Sequence, residues 1–179
     1  EVKGARTLVA SCVQPVSEGM EIITNTPRVF EARKQNLELV LSNHDKKCLS
    51  CVRSQNCELQ KLSKDYGIAD ESKYDGDSPV FDIDDSALHM VRDNNKCILC
   101  RRCVAACSQN QGVGVIGAND RGFETHIACA FEQDLADVSC IGCGQCINVC
   151  PTGALYERDC SEKSWNAIMD PNKHVIVQT

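Results

Sequence analysis

The feature that most constrains this chain is a cysteine spacing used twice. Residues 97–107 read CILCRRCVAAC and residues 140–150 read CIGCGQCINVC, so Cys97, Cys100, Cys103 and Cys107 recur as Cys140, Cys143, Cys146 and Cys150 in the pattern CxxCxxCxxxC. Three thiolates spaced this way can each reach a different iron of one four-iron, four-sulfur cube only if the loop winds tightly around it. The fourth cysteine then faces the neighbouring cube. The spacing therefore assigns Cys97, Cys100, Cys103 and Cys150 to one [4Fe-4S] cluster, and Cys140, Cys143, Cys146 and Cys107 to a second.

The remaining composition bounds what surrounds these loops. A chain of 179 residues suits one or two small domains, and metal centres let such domains hold together without large apolar cores. Its 14 cysteines fall in short runs rather than an even scatter. That clustering argues for thiolate ligation over disulfides, hence for a reducing compartment and an expected cytoplasmic location. No apolar stretch is long enough to span a bilayer, and residues 1–12 lack the basic, apolar and small-residue succession of a signal peptide. Any membrane attachment is expected to come through partners, with no direct insertion. The formal charge of −6 excludes nucleic acid as a natural partner, and clusters held by four thiolates make the assembled protein more acidic still. An acidic surface serves solubility, or docking to basic patches on redox partners.

Residues 44–57 add a third constellation, HDKKCLSCVRSQNC, or HxxxCxxCxxxxxC, with His44, Cys48, Cys51 and Cys57 as its candidate ligands. One imidazole and three thiolates fill four tetrahedral positions, and zinc accepts that set as readily as an iron-sulfur cube. Two cube-binding runs in the same chain favour a third [4Fe-4S] cluster; a zinc-stabilised binding module is the reading from another class. Replacing a thiolate by a neutral imidazole removes one negative charge from the cluster's shell, which favours the reduced state.

Local patterns place these motifs. TLVASCV and EIIT are short and β-branched, as strands are. Thr26 before Pro27 marks a helix start, and Phe30, Leu37, Val40 and Leu41 recur at helical spacing up to His44. CELQKLSKDYGI reads as a second helix carrying Leu59, Leu62 and Tyr66. An acidic, turn-rich stretch follows with PVFDID as a short strand, and its Asp75, Asp77, Asp82, Asp84 and Asp85 do not match a calcium-binding EF-hand loop. QGVGVIGANDRGFETHIA alternates as a β-hairpin does, with Asn119 and Asp120 at its turn. SEKSWNAIM returns to helix before Pro171, and HVIVQT reads as a strand.

Each repeated run carries the spacing of bacterial ferredoxins. The order of one His-Cys-Cys-Cys motif and then two such runs resembles the N-terminal electron-relay region of multi-cluster [FeFe]-hydrogenases. That layout is shared with the large iron-sulfur subunit of respiratory complex I and with some formate dehydrogenases. The resemblance implies an α+β fold in which a small helical one-histidine, three-cysteine module precedes a two-[4Fe-4S] ferredoxin-like module with an inserted hairpin. It divides the chain into residues 1–25, the remnant of a plant-type [2Fe-2S] domain; 26–68, the His44 module; 69–86, a linker; 87–160, the two-cluster domain; and 161–179, a connection toward a catalytic domain. It makes Cys12 the last ligand of a [2Fe-2S] cluster, whose other cysteines would have to lie upstream; the alternative is a lone buried thiol. SWNAIMDPNKHVIVQT resembles the entry to the hydrogen-activating domain, which favours a hydrogenase over the complex I and formate dehydrogenase relatives.

The function so implied is electron relay through three [4Fe-4S] clusters within a multi-subunit oxidoreductase, with no catalytic residue in these 179 positions. A [2Fe-2S] cluster and a hydrogen-activating cluster enter only with flanking domains. Partners would be redox subunits: a flavin and NAD(P) module, ferredoxin-type subunits or a formate dehydrogenase. Outside the motifs, Cys129 and Cys160 read as structural, and His89 and His174 as surface histidines. Arg101 and Arg102 either tune the first cluster or face solvent, Gly142 and Gly144 let the backbone approach sulfur, and Pro151 fixes the exit of the second loop.

Overall fold

The structure, a computed structural model, describes residues 1–69, 73–74 and 76–178. Contacts divide the chain into two units, Glu1–Pro79 and Val80–Thr179.

In the first unit, helix α1 (Pro27–Ser42) begins where its sequence says it should. The Thr26 hydroxyl accepts the Val29 N–H at 3.2 Å, and Pro27 occupies a first-turn position that needs no N–H. Its inward face buries Val29, Glu38 and Leu41, with Leu37 and Val40 half-buried. Phe30 is half exposed and instead stacks on Tyr66, ring centroids 4.8 Å apart, just past the end of helix α2 (Glu58–Asp65). Glu38, a carboxylate at a core-facing position, is neutralised by Lys73 Nζ at 2.7 Å.

The strands expected at TLVASCV and EIIT do not form. Val2 and Ile22 make a single antiparallel bridge, flanked by Lys3 N–H to Glu21 O at 3.0 Å and Ile23 N–H to Glu1 O at 2.9 Å. Residues 11–13 turn back, with Val13 and Gln14 N–H both donating to Ala10 O. β-branched composition makes a strand only where an edge is available along its length.

The second unit is built from two antiparallel pairs. Strand β1 (Met90–Arg92) pairs with β4 (Leu155–Glu157), Val91 opposite Tyr156; β2 (Ile116–Asn119) pairs with β3 (His126–Cys129), Ala118 opposite Ile127. The expected hairpin is therefore present, and Asp120 at its turn takes the left-handed φ of 55°. The first cysteine run lies between β1 and β2, the second between β3 and β4, so the pairing brings the start of one run to the end of the other. Each run ends in one helical turn, α3 (Arg102–Ala105) and α4 (Gln145–Asn148). After α3 the backbone widens into a π turn, Ala106–Asn110, which carries Cys107.

The core is thin: Ala87, Met90, Ile116, Ile127, Leu135, Ile147 and Leu155 pack with buried Cys103 and Cys129, and Cys97, Cys107, Cys146 and Cys150 line its edge. PVFDID contributes one bridge, Asp84 to Arg92, rather than a strand. Helix α5 (Ser161–Met169) forms as expected, whereas HVIVQT has no strand partner among the described residues, and Val175, Ile176 and Val177 are exposed. Asp75 of the acidic stretch and the terminal Thr179 lie outside the described residues.

Candidate metal centres

The crossing of the two runs is produced by named hydrogen bonds. Asp93 N–H donates to Ala154 O at 2.8 Å, and the fully buried Thr152 donates its hydroxyl to Lys96 O at 2.7 Å. Together they fix the chain after Cys150 against the chain before Cys97. Cys97, Cys100, Cys103 and Cys150 accordingly line one concavity, with Ile98, Ile127, Pro151 and Leu155 as its apolar walls. Cys107, Cys140, Cys143 and Cys146 line a second, walled by Met90, Val113, Val115 and Leu135. The Cys107 carbonyl accepts from both Val113 and Gly114 N–H, so the residue turns away from its own run.

The loops share one backbone. Leu99 (φ 54°) and Arg101 (φ 59°) stand at the positions of Gly142 (φ 64°) and Gly144 (φ 70°). A left-handed residue at each place lets three sulfurs point to one side. Glycine takes that conformation without penalty, while leucine and arginine adopt it at a cost. Arg101 and Arg102 are both exposed.

Burial sets the acidity of three of these thiols. It pushes Cys97 up to about 11, with the nearby Cys150 and Cys100 adding to the rise and the Leu99 N–H, 3.4 Å from Sγ, opposing it. Burial likewise pushes Cys103 up to about 12, reinforced by Cys97, Cys150 and Cys100. Cys146 rises to about 11 by burial, opposed by the Ile147 N–H and reinforced by Cys140, Cys143 and Cys107. Four thiols that repel one another as anions in a low-dielectric pocket become a stable set only around positive charge. The donor set is soft and suits iron-sulfur or zinc. Scale separates the two. Four sulfurs about 2.3 Å from one zinc lie roughly 3.8 Å apart. Among the described residues, the His, Cys, Asp or Glu trio whose ligand atoms fall within 4.8 Å of one another is Asp120, His126 and Glu132, not any three cysteines. The cysteine sulfurs are therefore spread more widely than the tight tetrahedron of a single zinc ion. That trio does not converge on a cation either: Asp120 approaches Nδ1 of His126 at 3.9 Å and Glu132 bonds Nε2 at 3.0 Å, on opposite sides of the ring.

In the first unit, His44 follows α1 by two residues, its N–H on Leu41 O at 3.3 Å and its Nδ1 buried. Cys48 opens a short 3-10 turn, and Cys51 N–H closes it on Cys48 O at 3.2 Å. Cys57 precedes α2, its carbonyl accepting the Lys61 N–H at 3.1 Å. All four residues are half-buried.

Several residues outside the motifs sit otherwise than their sequence suggests. Cys12 is exposed in the turn at residues 11–13, so it is not a buried thiol. Cys129 is fully buried in the core, with Arg92 Nη1 3.7 Å from its sulfur, whereas Cys160 is exposed at the start of α5. His89 is not a plain surface histidine: its Nε2 lies 3.6 Å from Cys140 Sγ and its ring faces Gly142. No sequence signal pointed to it, because 51 residues separate it from the sulfur it meets. His174 is exposed. No disulfide joins the cysteines. No helix among the described residues is long and apolar enough to cross a membrane.

Comparison with known proteins gives the same picture. Residues 33–72 match the NADH-ubiquinone oxidoreductase-G iron-sulfur binding region, and residues 96–154 match the 4Fe-4S dicluster domain. The whole chain is 47% identical to 30% of the NADP-reducing hydrogenase subunit HndD of Solidesulfovibrio fructosivorans. It is 37% identical, over 87% of its length and 18% of the relative's, to the G 2 subunit of the NADH-quinone oxidoreductase of Rhizobium meliloti. Iron hydrogenase 1 of Clostridium pasteurianum is 34% identical over 99% of this chain and 31% of that protein. Among solved structures, the NAD+-reducing [NiFe]-hydrogenase in its H2-reduced state superposes with a TM-score of 0.76 at 28% identity, over 84% of this chain and 64% of that one. The chain spans less than a third of these curated relatives' length. In its cysteine pattern, its ferredoxin-like second unit and these matches, the chain is similar to [4Fe-4S] regions found both in iron hydrogenases and in the G subunit of NADH-quinone oxidoreductase.

Proposed function

We propose that this chain is the electron-relay segment of a multi-subunit hydrogenase and holds three [4Fe-4S] clusters. His44, Cys48, Cys51 and Cys57 would ligate one; Cys97, Cys100, Cys103 and Cys150 a second; Cys140, Cys143, Cys146 and Cys107 the third. The observation that carries the reading is the pair of crossed cysteine cradles, each with four mutually repelling thiols lining one concavity. When bound, each cluster supplies a centre that takes up and releases one electron at a time.

The protein's part is positional. The β1–β4 pairing and the Thr152 to Lys96 bond keep Cys150 beside the first run, and apolar residues wall the concavity the sulfurs line. The cradles share one thin core, which holds them at a constant separation, as stepwise electron transfer requires.

A hydrogenase is favoured over a complex I relay by the extent of the match: HndD aligns with all 179 residues, including the segment after α5, and the Rhizobium oxidoreductase with 157. On this reading the partners are redox subunits, an NAD(P)-linked flavin module first among them, and the site of action is cytoplasmic. The superposition on an NAD+-reducing [NiFe]-hydrogenase supports a fold of this kind in more than one class of hydrogenase.

Anaerobically purified protein is expected to be brown, to carry about 12 iron per chain and to bleach with dithionite. Cys150→Ser should alter the EPR signal of one cluster and Cys107→Ser that of another. A colourless, zinc-loaded protein would end the relay reading. In the purified assembly, cluster reduction by NADH but not by hydrogen would place it on the complex I side.

A further inference from the structure

We infer that His89 is a hydrogen-bond donor to the Cys140 sulfur and raises the reduction potential of the cluster in the second cradle. The inference rests on the ligand reading just given and adds a residue outside any motif.

The geometry is specific to one cradle. His89 immediately precedes β1, and its backbone is pinned there: Arg158 N–H donates to His89 O at 3.2 Å, and the Arg158 side chain reaches Ala87 O at 3.0 Å and Asp85 O. The half-buried ring lies over Gly142, where a side-chain carbon would meet its atoms at 3.7 Å, and its Nε2 comes 3.6 Å from Cys140 Sγ. His89 also lines the second concavity beside Cys143, Cys146 and Cys107. In the first cradle the equivalent sulfur, Cys97, takes its contact from its own loop, the Leu99 N–H at 3.4 Å. The two loops otherwise share the same left-handed backbone, so the imidazole is a departure from near symmetry.

An N–H directed at a ligating sulfur withdraws electron density from it. The interaction strengthens when the cluster gains an electron, because the sulfur then carries more negative charge, and so the reduced state is favoured. A neutral imidazole with its proton on Nε2 suffices.

The test is an EPR-monitored redox titration of the complete iron-loaded protein. His89→Met removes the donor and keeps an unbranched side chain; His89→Gln keeps an N–H of similar reach. In His89→Met, one cluster is expected to lose about tenfold in its reduction equilibrium, a shift of about 59 mV to lower potential for one electron. The other two clusters stay fixed, and His89→Gln recovers most of the shift. Unchanged potentials in a fully iron-loaded His89→Met protein overturn the inference and leave the relay intact. Should His89→Met fail to load iron, pulsed EPR of the unaltered protein decides: an exchangeable proton coupled to the Cys140 cluster supports the donor, and its absence overturns it. If Cys140→Ser changes no cluster signal, the ligand reading fails along with the inference.

Discussion

The clasp between Asp84 and Arg92 offers a sharp test of how this small domain is held together. Both side chains are nearly enclosed, at 9% and 8% exposure, and meet at 2.9 Å. The same Asp84 oxygen accepts the Leu135 N–H at 3.1 Å, while the other accepts the Ser86 N–H at 3.1 Å and its hydroxyl at 2.6 Å. One carboxylate thus ties β1 to the segment leading into the second cysteine run. Burial works against its charge, but the two Ser86 bonds, the Leu135 N–H and Arg92 outweigh it and hold the carboxyl below the usual aspartate range. Asp84→Ala strips the enclosed guanidinium of its hydrogen-bonded carboxylate and leaves it the Cys129 sulfur at 3.7 Å. Breaking a buried pair from one side costs about 3–5 kcal/mol, with the orphaned Leu135 N–H part of that sum rather than an addition to it. Cluster loss makes unfolding irreversible, so the observable is the anaerobic bleaching rate at fixed guanidinium concentration. If half of about 4 kcal/mol is lost before the unfolding barrier, bleaching accelerates about 30-fold. Replacing both partners, as Asp84→Leu with Arg92→Met, should recover most of that loss, because no charge is then stranded. An Asp84→Ala protein that starts with full iron and bleaches less than threefold faster would refute the reasoning. So would a double variant as labile as the single one.

Two further expectations follow from strained and titrating positions. Arg101→Gly should bleach more slowly in guanidinium than Arg101→Ala, since both remove the charge and only glycine relieves the left-handed φ of 59°, a conformation that costs other residues about 1 kcal/mol; equal bleaching rates would show that the loop carries no strain there. His126 sits between Asp120 and Glu132, and although burial opposes its charge, the Glu124 carbonyl, then Glu132 and Asp120, outweigh this and raise its pKa above 6.5. A raised folded-state value means the contribution is complete below the unfolded pKa and is lost as pH climbs through the folded one. Deuterium-exchange protection of the β2–β3 hairpin, corrected for intrinsic rates, should therefore fall from pH 6 to pH 8.5 in the native protein and stay level in His126→Gln.

Much of the site was legible because its logic is local. Two residues between cysteines set the reach of a tight loop, and a proline after Thr26 sets a helix start, whatever lies elsewhere in the chain. The same locality misled at TLVASCV and HVIVQT. Their β-branched residues describe what a strand would like, while a strand exists only if another edge meets it. His89 was illegible for the opposite reason: its 3.6 Å approach to Cys140 depends on where β4 places Arg158 and how β1 leaves the preceding loop.

By itself, the sequence determined that the candidate ligands fall into three spaced groups and that the two repeated runs share one spacing, since these follow from covalent order. The crossed sets were implied by that spacing, and tertiary structure decided how they are assembled. The antiparallel closure of β1 on β4, with Thr152 bonded to Lys96, brings Cys150 across 53 positions to Cys97 and makes two separate loops into crossed cradles. A contact at that separation is decided by which pairing buries the most apolar surface and satisfies the most backbone, and no local pattern encodes that balance.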